Sequence, residues 1–174
     1  MYAVVRRYNG VTDPEEAGRR VEDQVALLRL LWTERSVTFT SDDEHVTGAG
    51  LAPLPVQRPI PIWFGATSDP ALRRVGRLAD GWFPQARPGA ELDEARRVVE
   101  QAAVEAGRDP ALLGMEGRVT WRDSQEKLAE HAASWRDAGA SHLSVNTMGS
   151  GLRTVDEHLA ALEAAAEVLK PAEE

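Results

Sequence analysis

Short apolar runs alternate with longer amphipathic segments from about residue 59 onward, and this alternation restricts the fold more than any other feature of the chain. The runs are Pro61-Ile62-Trp63-Phe64-Gly65-Ala66, Gly81-Trp82-Phe83-Pro84, Gly117-Arg118-Val119-Thr120-Trp121 and His142-Leu143-Ser144-Val145-Asn146. The first is nearly continuous, as expected of a strand buried on both faces. Each run precedes a segment with helical spacing. Leu72, Val75, Gly76 and Ala79 form one small apolar face. Leu92, Ala95, Val98, Val99 and Ala102 mark a helix over about 91–106 that Gly107 ends. Helices are also expected over 124–138, before Gly139, and over 155–169, before Pro171. Alternating β and α elements predict parallel strands joined by right-handed helical crossovers. Four strong strands are visible, whereas a closed (β/α)8 barrel needs eight in about 250 residues.

The segment before these units has a different character. Asp13-Pro14-Glu15-Glu16 is a helix start: a capping carboxylate, a proline in the first turn and acids at the positive end of the dipole. Val21, Val25, Leu28 and Trp32, widened by Leu27 and Leu31, extend it over 13–32. Residues 33–58 form an insertion, with Val37–Thr40 and His45–Thr47 as a hairpin around Asp42-Asp43-Glu44. Gly48, Gly50, Pro53 and Pro55 then break regular structure.

Charge and composition exclude several classes. The net charge of −8, with Arg scattered among Asp and Glu, argues against nucleic-acid and anionic-membrane surfaces. The chain has no cysteine, so it has no disulfides, thiolate nucleophiles or Cys-type metal sites. No run has the length of a signal peptide or a membrane span, and a cytoplasmic location is the default expectation. His45, His131, His142 and His158 lack ligand spacing, so no metal is expected. His131 and His158 are read as surface residues. The five tryptophans, Trp32, Trp63, Trp82, Trp121 and Trp135, are read as core packing.

The stretch Gly48-Ala49-Gly50-Leu51-Ala52-Pro53-Leu54-Pro55-Val56-Gln57-Arg58-Pro59-Ile60-Pro61-Ile62-Trp63-Phe64-Gly65-Ala66 resembles the luciferase-like monooxygenase superfamily. Within it, the likeness is to actinobacterial members that use the deazaflavin coenzyme F-420 or FMN. Ala71-Leu72-Arg73-Arg74 and Leu78-Ala79-Asp80-Gly81-Trp82-Phe83-Pro84 extend the match, as do Gly18–Gln24 and Leu27–Trp32. The resemblance is specific over about 18–84 and compatible in pattern to the C-terminus. It implies an α/β fold in which the chain is a partial TIM barrel, the C-terminal half. Helix 13–32 is then the fourth, followed by insertion 33–58 and strands five to eight with their helices over 59–174, all in one domain, 1–174. The implied function is a flavin- or F-420-dependent oxidoreductase or monooxygenase module acting on a small molecule. The first three β/α units, and with them much of the ring site of relatives, are not in this chain. Two readings therefore stand. One is a truncated enzyme module completed by an N-terminal half. The other is a non-catalytic half-barrel that dimerises. No catalytic residue is assigned.

The resemblance also implies that Gly65, Ala66, Thr67 and Ser68 contact the cofactor's phosphate or ribityl chain. They lie where a strand ends and a helix begins, on the face where TIM barrels place their sites. Helix N–H groups and two hydroxyls can hold a phosphate there, although Asp69 opposes it if it points inward. From the residues alone, an ordinary turn with Ser68 or Asp69 as cap is the competing account. Many relatives have Gly-Gly at Gly65-Ala66, and a hairpin glycine is replaced within Ser41-Asp42-Asp43-Glu44. Asp80-Gly81-Trp82 is read as structural: a backbone-bonding carboxylate, a tight turn and a core indole. Asn146, Thr147 and Met148 face the site or merely form a loop.

Overall fold

A computed structural model describes residues 13–122 and 124–170. The N-terminal stretch and Pro171, both used above, lie outside the described residues. The chain divides into two compact units, 1–61 and 62–174.

In the first unit, helix α1 spans Pro14–Thr33, and the Asp13 carboxylate caps it by accepting from Glu15 N at 3.0 Å. The expected apolar stripe is only partly buried. Val25 and Leu27 are inside, whereas Val21 and Leu28 stay 38% and 40% exposed. Strands β1 (Val37–Thr40) and β2 (His45–Ala49) form the expected antiparallel hairpin. Arg20 pairs with Glu44, and Gln24 donates to the same carboxylate at 3.0 Å, which ties α1 to the hairpin turn.

The second unit contains four consecutive β/α pairs. They are β3 (Trp63–Ala66) with α2 (Asp69–Leu78), β4 (Gly81–Pro84) with α3 (Ala90–Glu105), β5 (Gly114–Thr120) with α4 (Gln125–Asp137), and β6 (His142–Asn146) with α5 (Val155–Leu169). The strands form one parallel sheet in the order β3-β4-β5-β6. A 3-10 turn over Pro110–Leu112, capped by Asp109, precedes β5.

Alternation along each strand sorts the side chains into two faces. Phe64, Ala66, Trp82, Met115, Val119, Leu143 and Val145 belong to the core shared with Leu72, Val75, Leu92, Val98, Val99, Leu128, Trp135 and Ala161 of the four helices. Two close approaches set this layer. Gly76 meets the backbone at Val99 and Ala103 where α2 crosses α3, and Gly117 lies beneath the Trp135 indole. Arg108 fastens the end of α2 by donating to the Gly76 and Ala79 carbonyls, each at 2.6 Å.

Two expectations are corrected here. β3 is not buried on both faces: only Ala66 is buried, and Gly65 is exposed. Its opposite face receives no helix from 62–170, and its outer edge pairs with no strand among the described residues. Nor are all five tryptophans core residues: Trp32 and Trp63 are only half-buried. Trp82, Trp121 and Trp135 lie in the helix layer, whereas Trp63 stands on the other face. There the Trp63 ring covers Gly81 and Gly114: a Cβ at either would come within 2.5 Å of it.

Helix α5 starts with a capping box. Thr154 Oγ1 accepts from Glu157 N, and the Glu157 carboxylate accepts from the N–H groups of Thr154 and Arg153. The Arg153 and Thr154 N–H bonds hold the Glu157 carboxyl below its ordinary value. The depressed value means the stabilisation is present above the ordinary carboxylate range and disappears as pH falls through the lowered value. Circular dichroism against pH is therefore expected to show an acid loss of helix that Glu157→Gln makes shallower. An unchanged acid limb in that variant would contradict this assignment.

Candidate cofactor site at the strand ends

The four residues singled out from the sequence lie at the C-terminal end of β3 and the entrance to α2. Gly65 and Ala66 close the strand, Thr67 forms the link, and Ser68 is the α2 N-cap. Their roles differ. The Ala66 methyl is buried in the helix-side core at 6% exposure, so Ala66 offers only backbone outward. Gly65 lies on the opposite face, beside Phe83 in the register. A Cβ built on Gly65 would meet only Gln85 Nε2, at 3.8 Å, so the strand end is open to an approaching group. Thr67 and Ser68 are exposed, and the Ser68 hydroxyl makes no capping bond. The first N–H groups of α2 have no intrahelical acceptor. Open backbone, uncommitted hydroxyls and a helix N-terminus together suit a phosphate or polyol chain.

The charge around the loop is uneven. A cavity of about 290 Å³ opens between α2 and α3, with Leu72, Trp82 and Val98 among its walls. Asp69, Glu91 and Glu94 also line it. A hydrogen bond from Arg97 holds the Glu94 carboxyl below its usual value, and Glu94 in turn raises Arg97. One guanidinium against three carboxylates leaves this cavity unfavourable for an anion. The open side of Gly65 is the one a phosphate can approach. A second cavity, about 190 Å³, lies among Pro110, Leu113 and Gly139, where the chain enters β5 and β6. That is the end opposite the loop.

The sheet face beyond Gly65 was not read from the sequence. Register places Glu116 beside His142, Arg118 beside Ser144 and Thr120 beside Asn146, on the same face as Trp63 and Phe83. Arg118 and Glu116 lie 3.8 Å apart, with the Glu116 side chain only 14% exposed. Trp63 stacks at a tilt on Phe83, centroids 5.5 Å apart, and meets the His142 ring edge-on at 4.9 Å. Trp63 and His142 at the starts of β3 and β6 thus form an aromatic cluster with Phe83, which pairs with Gly65, and Arg118, Thr120 and Asn146 continue the face towards the ends of β5 and β6. The available signal was period-two alternation, Glu116-x-Arg118-x-Thr120 against Met115-x-Gly117-x-Val119.

The remaining candidates are structural. Asn146 Oδ1 accepts from Met148 N, Thr147 Oγ1 bonds His158 Nδ1 at 2.8 Å, and Met148 is 73% exposed. His158 is accordingly half-buried rather than a free surface residue, while His131 is exposed. Asp80 Oδ2 accepts from Ile62 N at 2.8 Å, and Trp82 is buried, as the structural reading of that segment required. No cluster of metal-ligating side chains occurs among the described residues. No described helix is long and apolar enough to cross a membrane.

Comparison with known proteins identifies the fold and the family. Residues 2–172 match the model of the luciferase-like monooxygenase family. An F-420-dependent glucose-6-phosphate dehydrogenase of Gordonia bronchialis is 32% identical over 125 residues, which is 70% of this chain and 37% of that enzyme. Among solved structures, an F-420-dependent secondary alcohol dehydrogenase bound to an F-420–acetone adduct aligns with a TM-score of 0.59 at 16% identity. That alignment covers 94% of this chain and 57% of the other. Riboflavin lyase with a modified FMN and riboflavin aligns at 0.54 and 17% identity, over 74% and 35% of the two chains. At such identities the structures speak for the fold alone. The chain spans about a third to three-fifths of the length of these proteins. With a family match over nearly its whole length, this chain belongs to the luciferase-like monooxygenase family.

Proposed function

We propose that the chain is a luciferase-like oxidoreductase module that holds FMN or coenzyme F-420 by its phosphate or ribityl chain at Gly65, Ala66, Thr67 and Ser68. The observation that carries this reading is the unobstructed Gly65 backbone beside the uncapped Ser68 at the N-terminus of α2. In it, residues 1–174 form one domain, the C-terminal half of a (β/α)8 barrel, with helix 13–32, insertion 33–58 and β/α units five to eight over 59–174. The name of the Gordonia relative favours F-420, and the riboflavin lyase keeps FMN in play. Bound at this loop, either cofactor would supply hydride transfer, and FMN also oxygen activation. The chain's own residues bind and orient. Thr67 and Ser68 donate hydroxyl hydrogens to phosphate oxygens, the first turn of α2 adds N–H groups, and Gly65 leaves room for the chain. Trp63 and Phe83 exclude water from the floor of the same face, while Arg118 and Thr120 present polar groups to a small-molecule substrate.

Gly65→Val tests the assignment, because a Cβ here meets only the end of the Gln85 side chain, at ordinary contact distance. Cofactor affinity, followed by fluorescence titration, is expected to fall about tenfold or more, a loss of about 1.4 kcal/mol. The melting temperature should move by only ~2 °C. Equal cofactor affinity in wild type and variant would refute the loop assignment.

A further inference from the structure

We propose that the C-terminal ends of β4 and β5 form a second anion grip, in which Arg87, Arg118 and Arg122 hold a phosphate or carboxylate that the ligand carries in addition to the phosphate at the Gly65–Ser68 loop. The inference rests on the cofactor reading above and deepens it by giving the ligand of that site a second charged group.

The first observation concerns which guanidinium groups are already engaged. Most arginines of the second unit have partners within the chain: Arg73 pairs with Glu105, Arg96 with Glu100, Arg97 with Glu94, and Arg108 with two carbonyls. Arg74 and Arg77 are engaged as well. Arg87, Arg122, Arg136 and Arg153 are exposed and have no ion-pair partner among the described residues. Carboxylates are not scarce in a chain of net charge −8, so the placement of these four is informative. Three follow strands: Arg87 in the β4–α3 loop, Arg122 just beyond β5, and Arg153 before α5. Arg136 lies in the last turn of α4, at the other end of the sheet, where it answers the negative end of the helix dipole.

The second observation is direction. Trp121 continues the β5 ladder by donating its N–H to the Asn146 carbonyl at 2.9 Å, and its indole belongs to the helix-side core. Alternation therefore sends Thr120 and Arg122 to the open face, in one row with Glu116 and Arg118. That row holds two guanidinium groups against one carboxylate, and Glu116 already lies 3.8 Å from Arg118. The third observation brings in the neighbouring loop. Gln85 Nε2 comes within 3.8 Å of a Cβ at Gly65, so the β4–α3 loop runs beside the phosphate loop. Gln85 and Ala86 line the cavity between α2 and α3, whereas Arg87 does not. The acids of this end are engaged elsewhere. Asp69, Glu91 and Glu94 line that helix-side cavity, and Glu157 is held in the α5 capping box. Glu126 and Asp156 stand in first helical turns, where their charge complements the dipole.

The planar guanidinium fork matches both phosphate and carboxylate. FMN has a single phosphate, which the Gly65–Ser68 loop takes. The second anionic group comes either from the acidic tail of coenzyme F-420, beyond its phosphate, or from an acidic small-molecule substrate lying over the ring.

Titration of wild type, Arg87→Gln, Arg122→Gln and Arg136→Gln with FMN, with F-420 and with citrate separates these sources. Fluorescence follows the cofactors, calorimetry follows citrate, and circular dichroism confirms the fold of each variant. If the tail is held, Arg87→Gln and Arg122→Gln each weaken F-420 about tenfold and leave FMN unchanged. If a substrate acid is held, both cofactors bind as before, while wild type binds citrate at about millimolar affinity and the same two variants lose it. Arg136→Gln, with the same change in net charge, is expected to behave as wild type. Equal binding of all three probes by wild type, Arg87→Gln and Arg122→Gln would overturn the proposal. So would an equal loss in Arg136→Gln, which marks a bulk-charge effect, or a wild type that binds neither F-420 nor citrate. A matching loss of FMN would also overturn it, because the arginines would then hold the first phosphate. Citrate needs no cofactor loop, so FMN affinity indifferent to Gly65→Val removes the loop assignment alone.

Discussion

Gly76→Ala is expected to lower stability by about 3 kcal/mol and the melting temperature by roughly 6–12 °C. The Cβ at this position would overlap the Val99 carbonyl oxygen and approach Ala102 Cβ and Ala103 N to 2.8 Å. Two of those three neighbours are backbone and cannot rotate aside. The helices α2 and α3 must separate, which unpacks Leu72 and Val75 from Val98 and Val99. Alanine is the better helix former by about 1 kcal/mol, but that gain is smaller than the overpacking cost, so the sign is destabilising. Thermal unfolding followed by circular dichroism reads the effect. A melting temperature equal to or above that of the wild type would show that the helices are not in this contact.

Trp135→Ala is expected to cost about 3–5 kcal/mol, the range for removing a buried large aromatic. The indole is 5% exposed, lies against Gly117 and Leu143, and donates from Nε1 to the Arg118 carbonyl at 3.2 Å. Its loss empties the space between α4 and the sheet and leaves a β5 carbonyl without that donor. Trp135→Phe keeps much of the ring and should cost less than half as much. A coupled variant sharpens the claim. Gly117→Ala alone is destabilising, because its Cβ would sit 2.6 Å from Trp135 Cγ. In the Trp135→Ala background only Leu143 Cδ2, at 2.7 Å, still stands in the way, and it can swing into the vacated space, so the same substitution should cost clearly less. Additive effects, measured by urea denaturation, would contradict the packing described here.

How far the fold could be read from the sequence depended on where the deciding interaction lay. Local interactions were legible. Asp13 and Ser124 cap their helices, Gly107 and Gly139 take positive φ after α3 and α4, and β6 and α5 fall at their expected limits. Strand β5 begins at Gly114 rather than Gly117, because Gly114 and Met115 are held by pairing with Gly81 and Trp82 across the sheet. A glycine-led entry carries no local strand signal. The burial of β3 was misjudged for a related reason: apolar composition reports what a strand can bury, not whether a partner is present on each side.

The site divides in the same way. The loop at Gly65–Ser68 was marked by a strand-to-helix junction with a Ser-Asp-Pro start, which is local chemistry. The face carrying Glu116, Arg118 and Ser144 depends on the register between β5 and β6, where a shift of one residue would turn every side chain to the other face. The Trp63 ring lying across Gly81 and Gly114 joins three strands. No spacing within one strand announces it.

The central claim, that this family member holds a flavin or deazaflavin at the β3–α2 loop, is tested most directly by titrating the purified 174-residue chain with FMN and with coenzyme F-420 while following fluorescence. The account predicts saturable binding of one of them at about micromolar affinity, weakened by Gly65→Val without loss of fold. No saturation with either cofactor by a chain of confirmed fold would contradict it.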